Sequence, residues 1–171
     1  MPQSIVQSDL LVLGQISCQT LNAPAGSISD AQVAAGTPIQ ATKTIHQFAH
    51  LFAQPDGTNV VAATQLLHVA RAGSTGGAVL EFDVALTTPP TGAMQFTVDL
   101  QRSTAGGAFA SILTGPVTIT SANTARQTVQ AALAATAYLA GDQFQVVVTP
   151  SGGSGTQAQG LAASLWVREN P

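Results

Sequence analysis

From Ile45 onward, apolar and polar residues exchange places at every second position. Residues 78–86 set Leu80, Phe82, Val84 and Leu86 against Val79, Glu81, Asp83 and Ala85; residues 94–101 set Met94, Phe96, Val98 and Leu100 against Gln95, Thr97, Asp99 and Gln101. A period of two marks a strand with one face in a core and one in water. Residues 45–53 place His46, Phe48, His50 and Phe52 on one face, and residues 60–72 are long enough for a bent strand. Shorter strands are expected at residues 109–113, 117–120 and 126–133. Two further strands, at 143–149 and 159–168, turn Phe144, Val146 and Val148, then Leu161, Ala163, Leu165 and Val167, inward.

The breaks are as regular as the strands. Asp56-Gly57, Thr87-Thr88-Pro89-Pro90-Thr91-Gly92, Gly106-Gly107, Gly115-Pro116, Gly141-Asp142 and Ser151-Gly152-Gly153-Ser154-Gly155 are turn-forming clusters. The alanine-rich run 131–140 is too short for a stable packed helix and reads as a strand end plus a connection. About eight short strands at this spacing predict an all-β fold, a jelly-roll-like antiparallel β-sandwich, with another Greek-key sandwich as the alternative.

Residues 1–44 have a different pattern. Apolar pairs such as Leu10-Leu11 and Val12-Leu13 stand among Ser, Gln, Ala, Gly and Pro, with one lysine and two aspartates. Such a segment cannot bury enough surface to offset its own ordering entropy. It reads as an extended N-terminal arm that docks on something else, with the sandwich body after it at 45–171. Fully extended, it would span up to roughly 145 Å at about 3.3 Å per residue. Its docking contacts would be Leu10, Leu11, Val12, Leu13, Ile16, Leu21, Ile28, Val33 and Ile39. Leu11 and Leu13, or Leu10 and Val12, have the spacing of a strand added to a neighbour's sheet edge, with packing on the chain's own body as the alternative.

Composition points the same way. Hydrophobic residues make up 45% of the 171 residues, enough for a core, yet only 8% are charged, against about a quarter in ordinary soluble domains. A surface so poor in charge is either small-residue polar or covered by neighbours. The net charge of −3, with Lys43, Arg71, Arg102, Arg126 and Arg168 scattered along the chain, disfavours nucleic acid, whose phosphates need clustered cations. The single Cys18 precludes an intrachain disulfide framework. Residues 1–17 carry no secretory pattern, and no apolar run approaches the roughly 20 residues of a membrane span.

The candidate chemistry is thin. His46, His50 and His68 are the residues that bring a transition metal to mind, but His46 and His50 on one strand lie about 13 Å apart; only His68, on the next strand, can oppose one of them. Glu81 and Asp83, with Asp99 expected on the same side of the sheet, overlap the carboxylate spacing of inverting glycosidases, although no apolar pocket is evident to raise a carboxyl pKa. Gly153-Ser154-Gly155-Thr156-Gln157-Ala158 matches G-x-G-x-x-A, yet it leads into a strand rather than a helix, so it reads as a hairpin loop. No catalytic residue, cofactor or metal is expected. Trp166 and Tyr138 are the candidate interface or glycan-binding aromatics.

The arm segments Asp9-Leu10-Leu11-Val12-Leu13-Gly14-Gln15-Ile16-Ser17, Pro24-Ala25-Gly26-Ser27-Ile28-Ser29-Asp30-Ala31 and Gly36-Thr37-Pro38-Ile39-Gln40-Ala41-Thr42-Lys43 resemble the N-terminal segments of tailed-bacteriophage fibre-like and head-decoration proteins. Phe96-Thr97-Val98-Asp99-Leu100, Ser121-Ala122-Asn123-Thr124-Ala125 and Tyr138-Leu139-Ala140-Gly141-Asp142-Gln143-Phe144 resemble strands and turns of virion-surface jelly rolls. The resemblance implies a non-enzymatic homotrimeric virion component, made in the host cytoplasm, with arms laid across or exchanged between subunits. Its partners would be copies of itself and the major capsid protein or other virion subunits. The likeness does not choose between head and tail; one arm and one compact body, without shaft repeats, favour a capsid decoration or cement protein at the capsid surface. The alternative is a fibre or receptor-binding module that recognises host glycans.

Overall fold

The computed structural model describes residues 46–170, and all of the strands expected from residue 45 onward fall within them. The arm and its nine docking residues lie outside the described residues. The strands are β1 (His46–Ala53), β2 (Ala63–Val69), β3 (Gly77–Thr88), β4 (Met94–Ser103), β5 (Ala110–Ser111), β6 (Val117–Ile119), β7 (Val129–Gln130), β8 (Ala137–Tyr138), β9 (Gln143–Gly152) and β10 (Gln159–Glu169). No helix occurs among the described residues. The alanine-rich run 131–140 forms no helix, as its length predicts, but it is not a strand end, because β7 stops at Gln130 before it. Within it, β8 is a short strand that the pattern does not announce.

Every pairing is antiparallel. One sheet runs β1-β10-β3 and ends with β7 and β8, which occupy different stretches of β3. The other runs β2-β9-β4 and ends with β5 and β6, which likewise share β4. Counting each short pair as one position leaves eight strand positions; β1 to β4 fall in alternate sheets, and β9 and β10 return to pair between β2 and β4 and between β1 and β3. That order makes the sandwich jelly-roll-like.

The core is the pair of inner faces. Phe82, Val84, Leu161 and Leu165 from the first sheet meet Val98, Leu100, Phe144 and Val146 from the second, all of them fully buried. Each such side chain contributes about 1.5–3 kcal/mol relative to exposure. These are the residues that the alternation assigns inward.

At one place the alternation misleads. Val79 is 2% exposed and Leu80 is 38% exposed, the reverse of the expectation from period two. The reason is a β-bulge: Trp166 faces Glu81 and the next residue, Val167, faces Val79, so that Leu80 has no partner of its own. One inserted residue shifts the side-chain phase of everything before it, which turns Leu80 outward. A similar irregularity in β2, where pairing jumps from Leu66 opposite Gln145 to His68 opposite Phe144, supplies the bend expected there and turns His68 inward. Val79→Ala is therefore expected to cost about 1.5 kcal/mol for the lost buried carbons, and Leu80→Ala no more than about 0.5 kcal/mol. Urea unfolding of the two variants measures this, and the opposite ranking would place the bulge elsewhere.

Candidate functional site

The two outer faces of the sandwich differ. On the second sheet, Asp99 and Gln101 of β4 stand beside Gln145 of β9 and Ser111 of β5. Gln145 donates to Gln101 at 2.9 Å, Gln101 to Asp99 at 3.0 Å and the Ser111 hydroxyl to Asp99 at 2.6 Å. This face bonds these polar groups to one another and also exposes Leu66 and Val69 of β2. It also removes Asp99 from the expected trio of carboxylates, because Glu81 and Asp83 belong to β3 of the other sheet. Strand number alone could not show that adjacent strands β3 and β4 are in different sheets.

The outer face of the first sheet mixes small and apolar side chains with Glu81, Asp83 and Arg168. Its rows read Ala49, Trp166, Glu81; then Leu51, Ser164, Asp83; then Ala53, Ala162, Ala85. Trp166 is 42% exposed and Leu51 65% exposed, and the bulge adds Leu80 to the same surface. Leu51, Ala85, Thr128, Ala162 and Ser164 line a groove with Asp83 in it. Partial burial raises the Asp83 pKa, and the neighbouring Glu81 charge raises it further. Of the two candidate aromatics, Trp166 lies on this face. Tyr138 is buried instead: its ring covers Gly77, where a Cβ would strike it, and its hydroxyl donates to the Arg168 carbonyl at 3.1 Å.

Where the first strands of the two sheets approach each other, three titratable groups meet. The rings of His50 on β1 and His68 on β2 lie 4.6 Å apart, and His68 stands edge-on to Tyr138 at 6.0 Å. Glu169, at the end of β10, places Oε1 3.4 Å from His68 Nε2 and accepts the Arg71 backbone N–H at 3.0 Å. Glu169 is 4% exposed. The sequence pattern ends this strand one residue too soon, at Arg168, and so misses Glu169, although it has the inward phase of Leu165 and Val167. The Nε2 atoms of His50 and His68 are buried without a hydrogen-bond partner. The expected opposition of His68 to a β1 histidine is present; nevertheless, no group of three or more His, Cys, Asp or Glu among the described residues is arranged to hold a metal ion.

Burial lowers the pKa of both histidines. The His50 charge lowers that of His68 further, and the Glu169 carboxylate opposes both shifts in part. Tyr138 is pushed up to about 12 by burial and then by Glu169. The remaining sequence candidate, the glycine-rich run 153–158, forms part of the loop between β9 and β10. There the Thr91 N–H donates to the Thr156 carbonyl at 3.0 Å and the two threonine hydroxyls are 2.7 Å apart, so the loop is tied to the turn after β3.

No protein-family profile matches the chain, and no curated protein sequence matches it. Among solved structures, it is similar to a chain of the cyanophage Pam1 capsid asymmetric unit, with 17% identity and a TM-score of 0.42, over 87% of this chain and 100% of that one. A likeness this distant identifies neither a family nor a function.

The histidine pair makes stability depend on pH in a definite direction. Because folding lowers their pKa values, the unfolded chain takes up protons first as pH falls. Stability is full above the ordinary histidine value of about 6.5 and declines below it, by up to about 1.4 kcal/mol per pH unit for one buried histidine such as His68. Urea unfolding between pH 5 and 8 is expected to show this slope, and His68→Gln to flatten it; an unchanged slope in that variant would assign the titration to other groups.

Proposed function

We propose that this chain is a non-enzymatic virion structural protein, a trimeric decoration or cement protein of a phage capsid. In this reading, residues 1–44 dock on neighbouring subunits or on the major capsid protein, and residues 45–171 form the body that trimerises. The observation that carries it is the outer face of the first sheet. Leu51, Leu80 and Trp166 stand exposed there among alanines, beside Glu81 and Asp83, while the opposite face carries a hydrogen-bonded group of Gln101, Asp99, Ser111 and Gln145 with exposed Leu66 and Val69 at its β2 edge. Exposed large apolar side chains grouped in this way mark an interaction surface. A chain with 8% charged residues and an arm too poor in apolar content to fold alone fits a protein that completes its burial in an assembly.

Nothing in the carboxylate geometry supports catalysis. Glu81 is exposed, and Asp99 is occupied by Gln101 and Ser111 on the other sheet. One observation favours a second reading, glycan recognition by a fibre-type module. Trp166 presents an exposed ring directly across from Glu81, with Asp83 two residues along, and an aromatic plane beside hydrogen-bond acceptors suits a sugar.

Two measurements separate these readings. Multi-angle light scattering is expected to give a trimer mass, with Trp166→Glu raising the dissociation constant at least about ten-fold, as for a central interface aromatic. Cryo-electron microscopy of assembled particles is expected to place the chain at capsomer junctions, and a chain lacking residues 1–43 is expected to fold but lose its place there. A monomer that binds a polysaccharide, with no density on the head, would replace the cement reading by the glycan one.

A further inference from the structure

Among the described residues, the strand β1 is an open edge with none of the usual protection. It ends its sheet among the described strands, and its eight residues, HQFAHLFA, contain no proline, lysine, arginine or carboxylate. Its register against β10 runs without interruption from His46 opposite Glu169 to Ala53 opposite Ala162. Natural sheets block such edges with charges, prolines or bulges, because an unblocked edge pairs with any suitable strand.

The phase of the ladder identifies the free groups. The Gln54 N–H donates to the Leu161 carbonyl at 2.7 Å, so even-numbered residues of β1 exchange hydrogen bonds with β10. In an antiparallel ladder the alternate residues point the other way. Gln47, Ala49 and Leu51 thus direct their N–H and C=O groups away from β10, and no described residue pairs with them. Among the described residues, side chains link β1 and the residue after it to the β2 side. The Gln54 amide donates to the Val61 carbonyl and accepts the Val61 N–H, both at 2.9 Å, and His50 meets His68 ring to ring. The β1 backbone stays open between these points.

We infer that the free edge of β1 accepts residues 9–17 of a second copy as an added strand. This deepens the assembly reading above and rests on it. A strand added here has apolar neighbours on both sides: Leu51 on the outer face, and Phe48, 39% exposed, on the inner side. An alternating amphipathic strand would match only one of them. The segment Asp9-Leu10-Leu11-Val12-Leu13-Gly14-Gln15-Ile16-Ser17 is apolar on both faces, with Leu11 and Leu13 on one and Leu10 and Val12 on the other. The 45 residues that precede His46 are long enough to reach a neighbouring subunit. A tight hairpin of the chain's own arm onto β1 is disfavoured, since Thr42-Lys43-Thr44-Ile45 offers none of the Gly, Asn or Asp residues that such a turn requires.

The test uses the full chain. Amide exchange measured by NMR is expected to show protected N–H groups at Gln47, Ala49 and Leu51, and the double variant Leu11→Lys, Leu13→Lys to lose at least about ten-fold of that protection while the β3 and β10 amides keep theirs. In a mixture of isotope-labelled and unlabelled chains, nuclear Overhauser contacts between residues 9–17 and β1 are expected across chains. Fast exchange at the three amides in the wild type, unchanged protection in the variant, contacts only within one chain, or contacts from β1 of one copy to β1 of another would each overturn the inference. Interchain contacts in a protein that binds no particle would leave it standing and remove the cement reading instead.

Discussion

The ladder between β3 and β10 organises the rest of the molecule. It is the longest pairing in the first sheet, running from Gln159 opposite Thr88 to Glu169 opposite Gly77, and both strands contribute fully buried side chains to the core. Its bulge shifts the phase of β3, turning Val79 into the core and Leu80 onto the surface. The far end of β10 carries Glu169 beneath His68 and the Arg168 carbonyl to the Tyr138 hydroxyl. The patch and the titratable cluster therefore derive from one set of backbone hydrogen bonds. Because such bonds pair both strands at once, a shift of one residue anywhere along β10 would rearrange both.

The sandwich also distributes its polar groups unequally. The second sheet faces outward with Gln101, Gln145, Ser111 and Asp99 bonded to one another, and with Leu66 and Val69 exposed beside them. The first sheet faces outward with alanines, Trp166, Leu51 and Leu80, with the carboxylates of Glu81 and Asp83 among them. Water solvates the bonded polar groups at little cost, whereas the exposed apolar side chains gain free energy from being covered. The unblocked edge of β1 lies on the same sheet as the apolar face, so a single neighbouring chain could cover both. The proposals for assembly come from that coincidence of surface and edge.

Most of the strand pattern is legible in the chain. Alternation assigns Phe82, Val84, Phe96, Val98, Phe144 and Val146 inward, and all six are buried. The turns at Asp56-Gly57 and Gly141-Asp142 separate strands as their residues predict, whereas β9 runs on through Ser151 and Gly152 of the expected 151–155 break. The pattern fails where one residue breaks the period, at Leu80 on the bulge, and where a strand runs one residue longer than its apolar alternation, at Glu169. The candidate site is less legible. Strand spacing allows the apposition of His50 and His68, but it does not reveal the carboxylate that joins them, and nothing local to Tyr138 tells that its ring covers Gly77 instead of facing solvent.

By itself, the sequence determined what depends on neighbours along the chain. These are the β period, the turn residues, the scarcity of charge and the contrast between residues 1–44 and the remainder. Each is local, since adjacent side chains on a strand must point to opposite faces. Only the tertiary structure decided which strands share a sheet, where a ladder bulges, which face is left apolar and which edge is left open. Those properties arise from hydrogen bonds between residues as distant in sequence as His46 and Glu169, and no short stretch of chain contains the partner that decides them.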